Sequence, residues 1–289
     1  MSATRSLVRL TDWTADDVEE VFALADAYRA GRGPTTPGCA VLFFPPTSLR
    51  TRVTFERGAA LMGLQPVLFP PETLDKPEAY EDVAGYLASW ADVLVVRHRD
   101  IGVLDALAAG PLPVVNAMTD VNHPCEVLSD VYALSRDAEV ADVRALRFVF
   151  VGADGNIARA WAEIAAVLGL DLVQCCPADL AVPRDVAPGL AWTDDLGAAV
   201  AGADVVLTDG PGRHAAALAP YRVTAELLAT ARPGVRLAPC PPFERGREVS
   251  ADAVAPGGPF VGYGFKASLL PVQQAVLAAS LGRTLTTTA

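Results

Sequence analysis

The sequence predicts an α/β protein made of two doubly wound parallel-sheet domains. Three observations carry this expectation. Short apolar runs of strand length alternate with helix-period runs along most of the chain, a polar stretch at 135–143 breaks the rhythm once, and a second alternating set follows it. With 289 residues, 52% of them hydrophobic, the chain is long enough for two cores of its own.

In order, a first helix starts near Thr11, with Asp12 or Thr14 as its cap, and runs to Ala27. Strands are expected at 40–44, 65–68, 92–97 and 113–116, and helices at 55–62, 80–90, 103–108 and 125–134. After the polar stretch come a strand at 146–151, a helix at 157–168, strands at 171–175, 205–209 and 236–238, and a Pro/Gly-rich segment at 255–264. A last helix covers 269–281. In open sheets of this kind ligands bind at the carboxyl ends of the strands, so the active site is expected there, in the cleft.

Composition narrows the partners. The formal net charge is −11 with 23 Lys and Arg, a surface that repels nucleic acid and makes any local cationic cluster stand out. The five cysteines are scattered and form no Cys-x-x-Cys pair, which reads as reduced thiols in a cytoplasm. No apolar run approaches a membrane span, Met1–Arg5 has no signal-peptide core, and no solenoid repeat is present.

The densest chemical signal is Ser48-Leu49-Arg50-Thr51-Arg52, between the apolar run 40–44 and a helical run through Leu61. A strand that ends in a polar turn and opens a helix leaves backbone N–H groups and the positive end of the helix dipole for an anion. Arg50 and Arg52 add planar forks suited to phosphate. A capped helix with solvated arginines is the other reading of this run. His123, in Asn122-His123-Pro124-Cys125-Glu126, lies between a strand end and a helix start, and is one of three histidines. Its readings are a cleft-facing donor or a structural loop residue. Arg97 ends an apolar strand, where a guanidinium can neutralise developing charge or end an edge strand in solvent.

Together these segments resemble the aspartate/ornithine carbamoyltransferase family. Its Ser-Thr-Arg-Thr-Arg segment grips the phosphate of carbamoyl phosphate; here Leu49 replaces a Thr, as in acetylornithine-type members. The family's His-Pro-x-Gln falls on His123–Glu126. The resemblance implies that His123 donates to the carbonyl oxygen, that Arg97 contacts phosphate and carbonyl, and that position 126 meets the amide end. Glu126 replaces Gln and can accept but not donate, so altered substrate handling or a raised Glu126 pKa is expected. Cys125 is read as packing. His98 follows Arg97 as in aspartate-type members, or is simply solvated. Lys76, in Leu74–Glu78, falls on the loop lysine that reaches a neighbouring subunit's site. Glu78 and Asp82 fall on the family's acidic positions. The alternative for this segment is an ordinary charged surface loop.

In the second half, Gly152-Ala153-Asp154-Gly155-Asn156 is similar to the ornithine-type Gly-Asp-Gly-Asn-Asn turn, with Asn156 on the Asn that touches the ornithine backbone. Read alone, this turn also suggests a dinucleotide site, but it lacks Gly-x-Gly-x-x-Gly spacing. The arginine of aspartate-type members falls at Ala158. Thr208-Asp209 resembles a segment whose Asp pairs with the α-amino group, although Gly210–Arg213 replace the usual Trp, Ser, Met and Gly. Pro239-Cys240-Pro241-Pro242 resembles His-Cys-Leu-Pro, with Cys240 lining the site, and Arg245–Val249 also match. The family's carbamoyl-contacting Arg falls at Ser268, with Lys266 as a substitute two residues earlier.

By this resemblance the last helix packs back on the first domain. Residues 1–136 plus 268–289 would then bind carbamoyl phosphate, 137–267 would bind the acceptor, and interdomain helices would join the two. The implied chemistry is transfer of a carbamoyl group to an ornithine-like amine, with Arg50, Arg97, His123 and Cys240 as the catalytic set. Ser48, Leu49, Thr51, Lys76 and Glu126 complete the carbamoyl-phosphate contacts, and Asn156 and Asp209 the acceptor contacts. No metal, cofactor, nucleic acid or membrane is needed, and a homotrimer with shared sites follows from Lys76. A non-catalytic or regulatory homologue and a nucleotide-binding oxidoreductase are the two other readings.

Overall fold

The structure, a computed structural model, describes residues 4–285; residues 1–3 of the N-terminal segment discussed above, and 286–289, lie outside them. It divides into two compact units. Unit 1 comprises the described residues up to Ala133 and those from Lys266 on, and unit 2 is Leu134–Phe265.

In unit 1, α1 (Ala15–Arg29) precedes β1 (Gly38–Phe43), α2 (Arg50–Met62), β2 (Leu64–Phe69), α3 (Tyr80–Leu87), β3 (Val93–Arg97), α4 (Ile101–Ala108), β4 (Val114–Met118) and α5 (Pro124–Ser135). Helix α1 starts later than Thr11 because Thr14 closes a capping box with Asp17: the Thr14 hydroxyl accepts from the Asp17 N–H at 3.2 Å, and the Thr14 N–H donates to the Asp17 carboxylate at 2.8 Å. Helix α2, expected from residue 55, begins at Arg50, because the polar turn winds directly into helix.

The four strands are parallel in the order β2-β1-β3-β4. Val93–Val96 of β3 are buried on both faces, as a covered parallel sheet requires. Chain order reverses between β1 and β3, so the connections that leave their paired carboxyl ends run to opposite sides and leave a crevice. Helix α10 (Leu269–Ser280) packs on α1 and α2 and has buried residues around its whole circumference. Gly58 permits this approach: a Cβ there would lie 3.1 Å from the Gln274 side chain.

Unit 2 repeats the plan with β5 (Arg147–Val151), α6 (Asn156–Leu168), β6 (Asp171–Cys175), β7 (Ala191–Thr193), α7 (Leu196–Ala201), β8 (Val205–Thr208), α8 (Ala215–Leu218), α9 (Ala225–Leu228) and β9 (Arg236–Pro239). Its parallel order is β7-β6-β5-β8-β9, with the reversal between β5 and β8. The periodicity did not reveal β7, α7, α8 or α9, which run from 3 to 6 residues and are too short to show a period.

Candidate functional site

The reversal between β1 and β3 brings the first and third motifs together. Ser48 follows β1 in a turn closed by its own N–H on the Pro45 carbonyl at 3.0 Å. The Arg97 guanidinium, at the end of β3, donates to the Ser48 hydroxyl at 3.1 Å. Pairing of β3 with β4 shifts register between Val96 and Arg97, and such an irregularity re-aims the side chain that follows it. Ser48 and Thr51 are buried, whereas Leu49 is 68% exposed and Arg50 is exposed.

Leu49 occupies the N-cap of α2 and offers no side-chain acceptor, so the opening N–H groups of the helix have no cap within it. The helix start is thus not capped by the Leu49 side chain, contrary to the capped half of the alternative reading, while Arg50 is exposed. Arg52, in contrast, turns to Glu56 at 3.2 Å one turn along α2, and belongs to that helix's surface.

His123 is delivered by a buried amide network. The Asn116 side chain on β4 donates to the Val8 carbonyl at 2.8 Å and to Asn122 Oδ1 at 2.7 Å. Thr119 Oγ1 accepts from the Asn122 N–H at 3.0 Å. The turn from 119 to 122 is thereby fixed, and Pro124 opens α5 at the first helical position, where a missing N–H costs nothing. His123 is 6% exposed, and burial, opposed by the Glu126 charge, lowers its pKa to about 4. It is a neutral imidazole at physiological pH, and its Nδ1 is buried with no hydrogen-bond partner. Its Nε2 lies 4.0 Å from Glu126 Oε2, beyond a hydrogen bond. Burial also lowers the Arg97 pKa; the charge of Glu126 opposes this and that of Arg50 adds to it.

Glu126 corrects one expectation. Burial pushes its carboxyl up, but the Lys266 ammonium, then His123 and Arg50, outweigh burial and leave it below its ordinary value rather than above. Lys266 Nζ donates to Glu126 Oε1 at 2.7 Å and to Asp130 Oδ1 at 2.5 Å. The substitute expected for the missing arginine therefore grips the residue that replaces the family's Gln. Ser268, where that arginine falls, is the N-cap of α10 and makes no side-chain cap bond.

Asp130 was not singled out in the sequence. Its signal was an acid four residues after Glu126 on an otherwise apolar helix. Cys125 is fully buried, with its thiol 3.5 Å from the Asn116 carbonyl and its pKa pushed up by burial, which fits packing. His98 is not solvated: its side chain is 11% exposed, its Nδ1 accepts from the Asp100 N–H at 3.1 Å, and its Nε2 is left to donate to Asp75 at 3.3 Å. Arg97 and His98 line a cavity of about 600 Å³ with Thr47, Asp75, Asp100 and Asp120, all beside the carboxyl ends of the sheet. Lys76 is exposed just beyond the turn Pro71–Asp75.

In unit 2, Asn156 is the first residue of α6. The turn before it is held by a fork from Arg159 to Asp154, with both contacts at 2.6 Å, and by buried Gln174, which donates to the Gly152 carbonyl at 2.9 Å and accepts from the Val182 N–H at 2.8 Å. Gln174 was missed; a polar residue inside a buried strand was its only sign. Strand β6 ends on Cys175, not on an acid that could hold a ribose. Asp209 follows β8 and accepts from the Gly210 N–H at 2.8 Å. Cys240, after β9, is buried and donates its N–H to the Thr208 carbonyl at 2.8 Å, so Asp209 and Cys240 leave neighbouring strand ends. A cavity of about 150 Å³ is lined by Gly152, Asp209, Pro211, Tyr221, Arg222 and Glu248, among others, but not by Asn156 or Cys240. Glu248 Oε2 is buried without a hydrogen-bond partner.

Among the described residues no cluster of His, Cys, Asp and Glu could hold a metal, and no helix is long and apolar enough to cross a membrane.

Known proteins resemble this chain in sequence and in fold. The family description "Aspartate/ornithine carbamoyltransferase, carbamoyl-P binding domain" matches residues 5–136, and "Aspartate/ornithine carbamoyltransferase, Asp/Orn binding domain" matches 144–278. The ornithine carbamoyltransferase of Desulfotalea psychrophila is 31% identical over 304 residues, covering 96% of this chain and 99% of its own. That of Methanothermobacter thermautotrophicus is 32% identical over 273 residues, covering 83% and 87%. The solved ornithine carbamoyltransferase from Pyrococcus furiosus superposes with a TM-score of 0.89 at 25% identity, over 97% of this chain and 98% of its own. With both halves matched in order by one family, the chain belongs to the aspartate/ornithine carbamoyltransferases.

Proposed function

We propose that this protein moves the carbamoyl group of carbamoyl phosphate to the amine of an ornithine-like amino acid or a related amine, and releases phosphate. The observation that carries the reading is the bond from Arg97 to Ser48 at the β1/β3 reversal, beside the uncapped start of α2. A phosphate there would meet the N–H groups of residues 49–51, the Ser48 hydroxyl, the Arg50 side chain and the positive end of the helix dipole.

Arg97 and neutral His123 are the donors we assign to the carbonyl oxygen. The imidazole needs only an N–H for this role, which a low pKa preserves. The acceptor nitrogen attacks the carbonyl carbon, the bond from that carbon to the phosphate oxygen breaks, and the departing phosphate takes up the amine proton. Carbamoyl phosphate is already activated, so positioning and charge stabilisation are enough. Asn156, Asp209 and Cys240 are assigned to the acceptor. Ala158, buried in α6 where aspartate-type members carry an arginine, speaks against aspartate.

A homotrimer with Lys76 reaching a neighbouring site belongs to the same reading. An apolar stripe at helical spacing, Leu49, Val53 and Leu61 on the outer side of α2, supports it, as do Val67 and Phe69 on edge strand β2; all five are exposed in the single chain. Among the described residues none of the five cysteines is in a disulfide, which suits a reducing compartment, and we place the enzyme in the cytoplasm.

Labelled carbamoyl phosphate with ornithine, acetylornithine, putrescine, aspartate, lysine and diaminopropionate tests the proposal, with products read by mass. A ureido product is expected. A non-catalytic homologue, favoured by the replaced Gly210–Arg213 segment, would bind carbamoyl phosphate without turnover. Failure to bind it would overturn the proposal.

A further inference from the structure

Glu126 and Asp130 stand one turn apart on α5, only 5% and 3% exposed. Two buried carboxylates at this spacing repel unless a cation lies between them. Lys266, the first residue of the chain's return to unit 1, supplies that cation and bonds one oxygen of each. Glu126 Oε1 is thereby occupied, and its Oε2 is left on the side of His123. The charges that bear on the group are Lys266 from the segment before α10, Arg50 from α2, and Arg97 from β3, whose own guanidinium feels Glu126; His123 at the start of α5 faces it as a neutral imidazole and adds a charge only when protonated.

We propose that Asp130, Lys266 and Glu126 act as one unit that presents a fixed Glu126 oxygen to the amide end of carbamoyl phosphate, with Asp130 as its positioning residue. The inference rests on the carbamoyl-phosphate reading above. Asp130 holds the far side of the ammonium. Without its charge, Lys266 is drawn wholly onto Glu126 and competes for the oxygen left to the substrate. A carboxylate accepts and cannot donate, so this unit reads the substrate's N–H groups and rejects a ligand that has a methyl in their place. By the resemblance, Glu126 stands where the family has Gln and Lys266 substitutes for an Arg that falls at Ser268, so the unit pairs two features peculiar to this reading of the chain.

The test needs no acceptor. Two stable probes, phosphonoacetamide and acetonylphosphonate, share the carbonyl and phosphonate and differ in amide against methyl. Their dissociation constants are measured by calorimetry for the wild type, Asp130→Asn, Glu126→Gln, the double variant and Lys266→Arg, with melting curves as folding controls. The wild type should prefer the amide by about tenfold or more, the worth of one charge-assisted hydrogen bond. Asp130→Asn should reduce the preference to within about threefold, and Lys266→Arg, which can fork both carboxylates, should keep it. In the Glu126→Gln background, Asp130→Asn should change nothing further, because its path to the substrate is gone.

An unchanged preference in Asp130→Asn overturns the inference, as does an equal effect in both backgrounds, which is what a merely structural residue would give. If Asp130→Asn does not fold, Lys266→Gln, which removes the ammonium that anchors Glu126 Oε1 and so leaves the carboxylate unfixed, should also reduce the preference, and an unchanged preference there overturns the inference. Wild-type binding of both probes with no preference sinks this inference alone. Binding of neither sinks the proposed function with it.

Discussion

Lys266→Met should destabilise unit 1 in a way that depends on pH. Methionine keeps the length and flexibility of the lysine stem and removes its charge. In the wild type one ammonium serves carboxylates at 2.7 and 2.5 Å, both buried. Removing one partner from a buried ion pair costs about 3–5 kcal/mol, because the remaining charge is left without compensation. Here two charges remain, and they relieve each other when one takes up a proton, so the lower half of that range is expected. In a domain of this size each kcal/mol lowers Tm by about 2–4 °C, which gives a drop of roughly 6–16 °C for about 3–4 kcal/mol.

The sign with pH follows from linkage. In the variant both carboxyls have folded pKa values raised above their unfolded values. The penalty is therefore complete above the folded values and is relieved as pH falls toward the unfolded range near 4. Thermal unfolding of wild type and variant at pH 8 and pH 5, followed by circular dichroism, measures the effect. A loss under about 1 kcal/mol at pH 8, or the same loss at both pH values, would refute the claim that Lys266 compensates two buried charges. Adding Glu126→Gln and Asp130→Asn to the variant should recover most of the stability, since neutral isosteres remove the stranded charges.

Four further outcomes are expected. Asp130 is pushed up to about 6, first by burial, and His123 is lowered to about 4. As pH falls from about 6.5 to 4 the aspartate recovers stability and the histidine loses it, so the wild type should change little; Asp130→Asn should expose the histidine alone and lose roughly 3 kcal/mol by pH 4 in denaturant titrations. Arg97→Lys keeps a charge but not the planar fork, and should lower kcat by about 10²-fold with a smaller change in KM; an unchanged kcat would remove Arg97 from the oxyanion site. Thr14→Ala should cost about 1 kcal/mol of stability through loss of the α1 cap, with kcat unaffected. Inactive Lys76→Ala and Arg50→Ala chains, mixed and reassembled, should regain part of the activity if sites are shared between subunits; a mixture as inactive as its parents would argue for sites complete within one chain.

The alternation of strand and helix in the sequence was enough for the class of fold, because a buried parallel strand such as Val93–Val96 is a continuous apolar run and an amphipathic helix has its own period. Ser48, Arg97 and His123 were legible as candidates because each sits where an apolar strand gives way to polar residues, and in a parallel sheet those ends gather on one edge. Boundaries were less legible. Helix α2 begins five residues earlier than its apolar pattern, at Arg50 rather than Phe55, because helix continues through a polar turn that shows no period.

What the local pattern left undetermined were relations between distant segments. Strand order decides that Ser48 and Arg97 meet across 49 residues of chain. The return of the chain at Lys266 places an ammonium on Glu126, 140 residues away, and holds that carboxyl below its ordinary value, where a raised pKa was one of the two outcomes expected. A residue's type and its neighbours along the chain specify its hydrogen-bonding capacity. Its charge state depends on how much water is excluded and which charge takes its place, and those are properties of the folded chain.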